Sequence, residues 1–254
     1  LCLKIFELSY DGKSFKAKLI NTFGRGTPLH IGETGWMYTM SGLGNAIPDG
    51  MDLLMPSMAT KVGVDGPMCG LSRWQRSNGM WRPVDFQPLG ETGERWGEPS
   101  VVRLPTGALL FCVRDDHKKQ PGHPGWIHGN QQDFHVWLSK DNGRSWIRRV
   151  EVADVRMGAP VALGRANDGT AYLVANPGYP EPVLDKRRNV LNLWPLSKKL
   201  DALGKPQTIR NAKDFTSGYG SWNIDHPIYS VVRLADGKVH GFLSYRVRDN
   251  WRDP

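Results

Sequence analysis

Three strand–turn–strand phrases recur along this chain, and their spacing restricts the fold more than any other feature. S-V-V-R-L-P-T-G-A-L-L-F-C-V, P-V-A-L-G-R-A-N-D-G-T-A-Y-L-V and Y-S-V-V-R-L-A-D-G-K-V-H-G-F-L share one pattern, with turn glycines at Gly107, Gly169 and Gly237, 62 and 68 residues apart. A weaker copy, I-P-D-G-M-D-L-L-M, puts Gly50 57 residues before Gly107. Asp-Gly and its relatives supply the positive φ of tight hairpins. A second marker keeps nearly the same period. S-K-D-N-G-R-S-W (139–146) has two degenerate relatives, S-Y-D-G-K-S-F (9–15) and R-S-N-G-M-W (76–81), whose closing aromatics Phe15, Trp81 and Trp146 lie 66 and 65 apart. A period of that size, with room for about four short strands, is the pattern of a β-propeller, in which four-stranded blades stack radially round a channel.

Composition narrows the alternatives. Helical periodicity is scarce, and short apolar or alternating runs bounded by Gly, Pro, Asn and Asp are frequent, so an all-β chain is expected. A short helix or turn is expected only near Lys198–Leu203. The chain has 29 glycines, 18 prolines and 10 tryptophans in 254 residues, with 39% hydrophobic and 23% charged residues. Those proportions suit a globular domain rather than a disordered one. No apolar run reaches the roughly 18 residues of a membrane helix. Cys2, Cys69 and Cys112 form no C-x-x-C pair and no disulfide framework; Cys112, in an apolar run, is expected to be a buried free thiol. The charge is +8, but the one basic run, 186–188, lacks a basic helix or an aromatic platform, and no nucleic-acid partner is expected. His117, His123, His128 and His135 have spacings that fit no standard ligand motif, so neither a metal nor a cofactor is expected.

S-K-D-N-G-R-S-W matches the S-x-D-x-G-x-x-W Asp box, and here the chain resembles the sialidase (neuraminidase) superfamily and its BNR-repeat relatives. The resemblance covers roughly residues 90–246. It implies a six-bladed β-propeller of sialidase type, of which residues 1–254, a single partial domain, would supply about four to five blades. In that family the Asp box is a structural turn, so Ser139, Asp141, Gly143 and Trp146 are expected to be architecture. W-G-E-P-S-V-V-R-L-P-T-G-A-L-L-F-C-V-R (96–114) looks like the family segment that begins with a functional Glu and ends with a functional Arg, at Glu98 and Arg114. The R-R-N stretch favours Arg187 as a further arginine, with Arg188 one place out of register. P-I-Y-S-V-V-R-L-A-D-G (227–237) resembles the family's nucleophile segment, with Tyr229 at the nucleophile position. Where the family usually shows a Glu after Gly241, this chain has Tyr245 and Arg246.

The chemistry implied by that resemblance is coherent. A sialic acid carries a carboxylate beside its anomeric carbon, and guanidinium forks bind carboxylates bidentately. A carboxylate nucleophile would be repelled by it. A phenol would not, although with an ordinary pKa near 10 it needs a base; sialidases are a known departure from the two-carboxylate scheme for this reason. The expected roles are Tyr229 as nucleophile, Glu98 as its base, and Arg114 and Arg187 as carboxylate clamp. The family's acid Asp and first arginine have no match in the chain and are expected upstream of Leu1. Loop 115–132 is expected to overhang the site, with Trp126 placed to stack on a sugar. Asp225 and His226, just before Tyr229, are candidate neighbours. The expected activity is that of an exo-α-sialidase-like glycoside hydrolase acting on sialylated or other anionic glycans. Alternatives are a carbohydrate-binding propeller without turnover, a hydrolase or lyase of another anionic sugar, and a structural or protein-interaction propeller. A secreted or periplasmic location would follow if the full-length protein carries a signal peptide.

Overall fold

The computed structural model describes residues 3–11, 13–23, 28–42, 44, 46–90, 96–115, 133–152, 160–176, 190–211, 222–233, 237 and 239–249. Every regular element among them is a strand. A first hairpin pairs β1 (Leu3–Tyr10) with β2 (Phe15–Phe23). The next sheet holds β3 (Leu29–Ile31), β4 (Trp36–Ser41), β5 (Ile47–Asp49), β6 (Asp52–Lys61), β7 (Met68–Ser77) and β8 (Met80–Pro88). Both β4 and β5 pair with β6, so they act as one interrupted edge strand, and β3 continues the sheet beyond β4. Two four-stranded antiparallel meanders follow. One holds β9 (Trp96–Arg103), β10 (Leu109–Asp115), β11 (Asp133–Ser139) and β12 (Ile147–Val152). The other holds β13 (Ala162–Arg165), β14 (Ala171–Ala175), β15 (Val190–Pro195) and β16 (Gln207–Asn211). A last hairpin joins β17 (Trp222–Arg233) to β18 (Val239–Asp249). The described sheets do not close into a ring.

Both sequence markers fall where hairpin chemistry needs them. Gly50, Gly107, Gly169 and Gly237 sit in the β5–β6, β9–β10, β13–β14 and β17–β18 turns, all with φ between +65° and +84°, a region that costs a residue with a Cβ about 1–2 kcal/mol. The Asp-box series occupies a different set of turns: β1–β2, β7–β8 and β11–β12. In the full copy, Ser139 Oγ donates to Asp141 Oδ1 at 2.8 Å and accepts from the Gly143 amide at 2.8 Å, while the Ser145 amide donates to Asp141 Oδ1 at 2.9 Å. The degenerate first copy does the same work, its Asp11 Oδ1 accepting from the Ser14 amide at 2.9 Å. Trp146 turns inward, edge-on to Phe111 at 5.4 Å. Asp141 and Trp146 are thus engaged in turn and core contacts. The Lys198–Leu203 region is a turn rather than a helix, with the Leu200 amide donating to the Ser197 carbonyl at 2.8 Å.

Hydrogen bonds from Ser145, side chain first and then backbone, hold the Asp141 carboxyl down to about 2. A depressed carboxyl contributes stability above its unfolded pKa and loses it as pH falls through the folded value. We therefore expect the Asp141 resonance, followed by NMR, to titrate near pH 2, and Ser145→Ala to move that midpoint up toward the ordinary carboxylate range. An unmoved midpoint would mean that Ser145 does not hold the turn.

The core lies between sheets. Leu54, Leu71, Trp96, Leu109 and Phe111 pack the β3–β8 sheet on β9–β12. Leu110, Phe134, Val136, Leu163, Leu173 and Trp194 pack β9–β12 on β13–β16. Ala162, Val174, Leu191 and Ile224 pack β13–β16 on the last hairpin. β10 shows why its sequence is an unbroken apolar run: Leu109 to Val113 are all fully buried, as a strand covered on both faces must be. Cys112 lies in that run as a free thiol whose pKa burial pushes well up. Successive sheets meet along their first strands, β9 beside β13 and β13 beside β17. Buried Ser100 sets the alignment between two of them, its Oγ accepting from the Leu163 amide at 2.9 Å.

Candidate functional site

The first strands β9, β13 and β17 lie side by side. At the end where β9 begins, Glu98 and Arg114 form an ion pair, with side chains 20% and 13% exposed. The backbone explains their meeting. Arg114 on β10 lies opposite Gly97 on β9, and the β9–β10 register shifts between Cys112 and Arg114. That bulge places Glu98 at φ +49°, a left-handed conformation uncommon for a residue with a side chain. Gly42 helps hold it there. A Cβ at Gly42 would lie 2.0 Å from the Pro99 carbonyl oxygen, so only glycine allows this backbone approach next to Glu98. Strained residues of this kind persist where surrounding structure over-determines them, and they cluster at functional sites.

Tyr229 lies on β17. Its ring rests on the bare backbone of Gly164 on β13: a Cβ there would come within 2.1 Å of the ring. Tyr229, Arg103, Arg165, Ile47, Val101 and Leu163 line a cavity of about 250 Å³, with β5, β9, β13 and β17 each contributing. Leu163 is level with Ser100 across β9 and β13, and Tyr229 sits at Gly164. The described contacts bring Glu98 and Arg114 together, and neither lines the cavity that Tyr229 lines. Among the described residues the Tyr229 hydroxyl makes no hydrogen bond. Burial, helped by the neighbouring Tyr172, pushes its pKa up, so the phenol is neutral at physiological pH.

Other expected site residues are partly or wholly beyond description. Trp126, Arg187 and Arg188 lie outside the described residues, as do residues 116–132 of the overhanging loop, including His117, His123 and His128. Asp225 and His226 are on β17, where the pairing with β18 shifts between Asp225 and Ile228. Buried His135 packs against Trp96, ring centroids 5.6 Å apart and planes tilted by 50°. Tyr245, where the resembling family carries a Glu, accepts a hydrogen bond from Arg210 Nε at 2.7 Å. Sequence reasoning missed Arg103 and Arg165, although both stand four residues before a turn glycine and the repeat register contained that signal.

No protein-family model and no curated protein matches the chain in sequence. Solved structures do match. An endo-arabinase from Bacteroides thetaiotaomicron aligns at TM-score 0.51 and 14% identity, over 84% of this chain and 72% of that one. An exo-β-1,3-galactanase from Phanerochaete chrysosporium aligns at 0.52 and 11%, over 87% of this chain and 48% of its own. The shared architecture is the β-propeller. NanB sialidase from Streptococcus pneumoniae fits more loosely, at 0.47 and 12%, over 96% of this chain and 38% of its own. The chain thus spans less than half the length of two of these three structures. At such identities the propeller is what they share; the chemistry must come from this chain's own residues.

Proposed function

We propose that this propeller is a glycoside hydrolase acting on an anionic sugar, in the manner of an exo-α-sialidase. The observation that carries the reading is the Glu98–Arg114 pair, built on a strained bulge in β9. The solved structures that share the fold are described as an arabinase and a galactanase, which supports a carbohydrate substrate. Tyr229 acts as nucleophile, and Glu98, which is paired with Arg114, acts as the base for it. Arg187 completes the carboxylate clamp. One observation favours a second reading, a binding propeller without turnover: the Tyr229 phenol is pushed up and makes no described hydrogen bond, the opposite of an activated nucleophile.

One assay separates them. Release of a fluorogenic leaving group is measured for an α-sialoside and for the matching galactoside and arabinoside. The hydrolase reading expects sialoside turnover that Tyr229→Phe lowers by about two orders of magnitude or more. Turnover unchanged in the Phe variant removes Tyr229 from the mechanism. Faster turnover of the neutral glycosides removes the anionic substrate. Saturable glycan binding with no turnover establishes the second reading.

A further inference from the structure

The phrase that sets the fold also places a charge. The position four residues before each turn glycine is occupied by Ala46, Arg103, Arg165 and Arg233. Arg103, Arg165 and Arg233 are the last residues of β9, β13 and β17. Ala46, Arg103 and Arg165 line the cavity beside Tyr229. The repeat therefore sets a series of equivalent positions at the turn ends of these strands, and Glu98 and Arg114 are not among the cavity's lining residues.

The arginines at these positions are not equivalent in charge balance. Arg103 is charge-paired: its terminal nitrogens donate to the Gly107 carbonyl at 3.1 Å, to Asn142 Oδ1 at 2.9 Å and to Asp49 Oδ1 at 3.4 Å. Asp49 and Asp52 in turn hold Arg73 at 2.8 and 2.9 Å, so two carboxylates balance two guanidinium groups. Arg165 makes no hydrogen bond or ion pair among the described residues. Among the described residues, the cavity thus contains one uncompensated positive charge and one phenol without a hydrogen bond, beside a wall of Ile47, Val101 and Leu163. A guanidinium fork matches a carboxylate, a phenol adds one donor, and an apolar wall suits the carbon face of a sugar ring.

We infer that this cavity is a binding subsite for the carboxylate of a sugar acid, with Arg165 as the anion ligand and the Tyr229 hydroxyl as a second donor. The inference shares the anionic sugar with the proposed function but rests on the cavity, not on chemistry at Glu98.

The test is equilibrium binding by calorimetry to the full chain. The probes are D-glucuronate, N-acetylneuraminate and D-glucose, the last resembling glucuronate without its charge. At least one of the two acids should bind at least about ten-fold more tightly than glucose, and which one does so identifies the sugar. Arg165→Gln should abolish that preference, Arg165→Lys should retain part of it, and raising salt from about 20 to 200 mM should weaken it. Circular dichroism checks that the variants are folded; if the Gln variant is not, the Lys variant and the salt series decide. Acid binding that is indifferent to both substitutions, or to salt, overturns the subsite, as does equal affinity for acid and neutral sugar. Failure of the hydrolase reading looks different: the acid preference persists and no fluorogenic glycoside is cleaved.

Discussion

Gly164→Ala should expel Tyr229 from its seat. The added Cβ would lie 2.1, 2.2 and 2.4 Å from three carbons of the ring, far inside van der Waals contact. Gly164 is held by its pairing with Tyr172, and its neighbours Leu163 and Ala162 are fully buried in two different cores. The strand cannot give way cheaply, so the ring must. Over-packing of this kind costs about 1–3 kcal/mol, read as a lower denaturant midpoint at unchanged slope. Displacement of the ring should also remove the Tyr229 wall of the cavity. The variant is therefore expected to lose glycan binding as well as stability. A Gly164→Ala protein with wild-type midpoint and wild-type binding would show that the ring does not rest on β13.

Glu98→Gln should reduce turnover by about 10²–10⁴-fold if Glu98 is the base. The side chain keeps its shape and loses its charge. Because Glu98 also carries a left-handed φ of +49°, Glu98→Gly gives an independent reading. Glycine relieves a strain of about 1–2 kcal/mol but removes the partner of Arg114. The two effects oppose each other, so the Gly variant should be close to wild type in stability while turnover is lost. That separation of stability from activity marks a residue kept in a costly conformation for function. Wild-type turnover in Glu98→Gln would make the pair purely structural.

The legible and illegible parts of this protein divide along one physical line. Hairpins are local. Gly107, Gly169 and Gly237 are required by turns spanning only a few residues, and the Asp-box series by turns whose polar partners lie four residues apart, Ser145 on Asp141. Such requirements appear directly in the sequence, so the hairpin turns and the repeated strand–turn–strand units could be read from it. The Glu98–Arg114 meeting was also legible, because the hairpin joining β9 to β10 brings the two to one end. Tyr229 was placed on the right strand, but not relative to Glu98. That distance depends on how β9, β13 and β17 slide past one another, and the Ser100–Leu163 bond that sets one alignment spans 63 residues.

The chain's own periodicity therefore determined that it is all-β, that its strands come in repeated antiparallel groups, and that an arginine ends three of the first strands. Only the tertiary structure decided what those arginines do. Asp49, contributed by the preceding sheet, neutralises Arg103, and no described carboxylate reaches Arg165. Charge balance is a property of space, and a repeat that writes the same residue at each position does not write its neighbours.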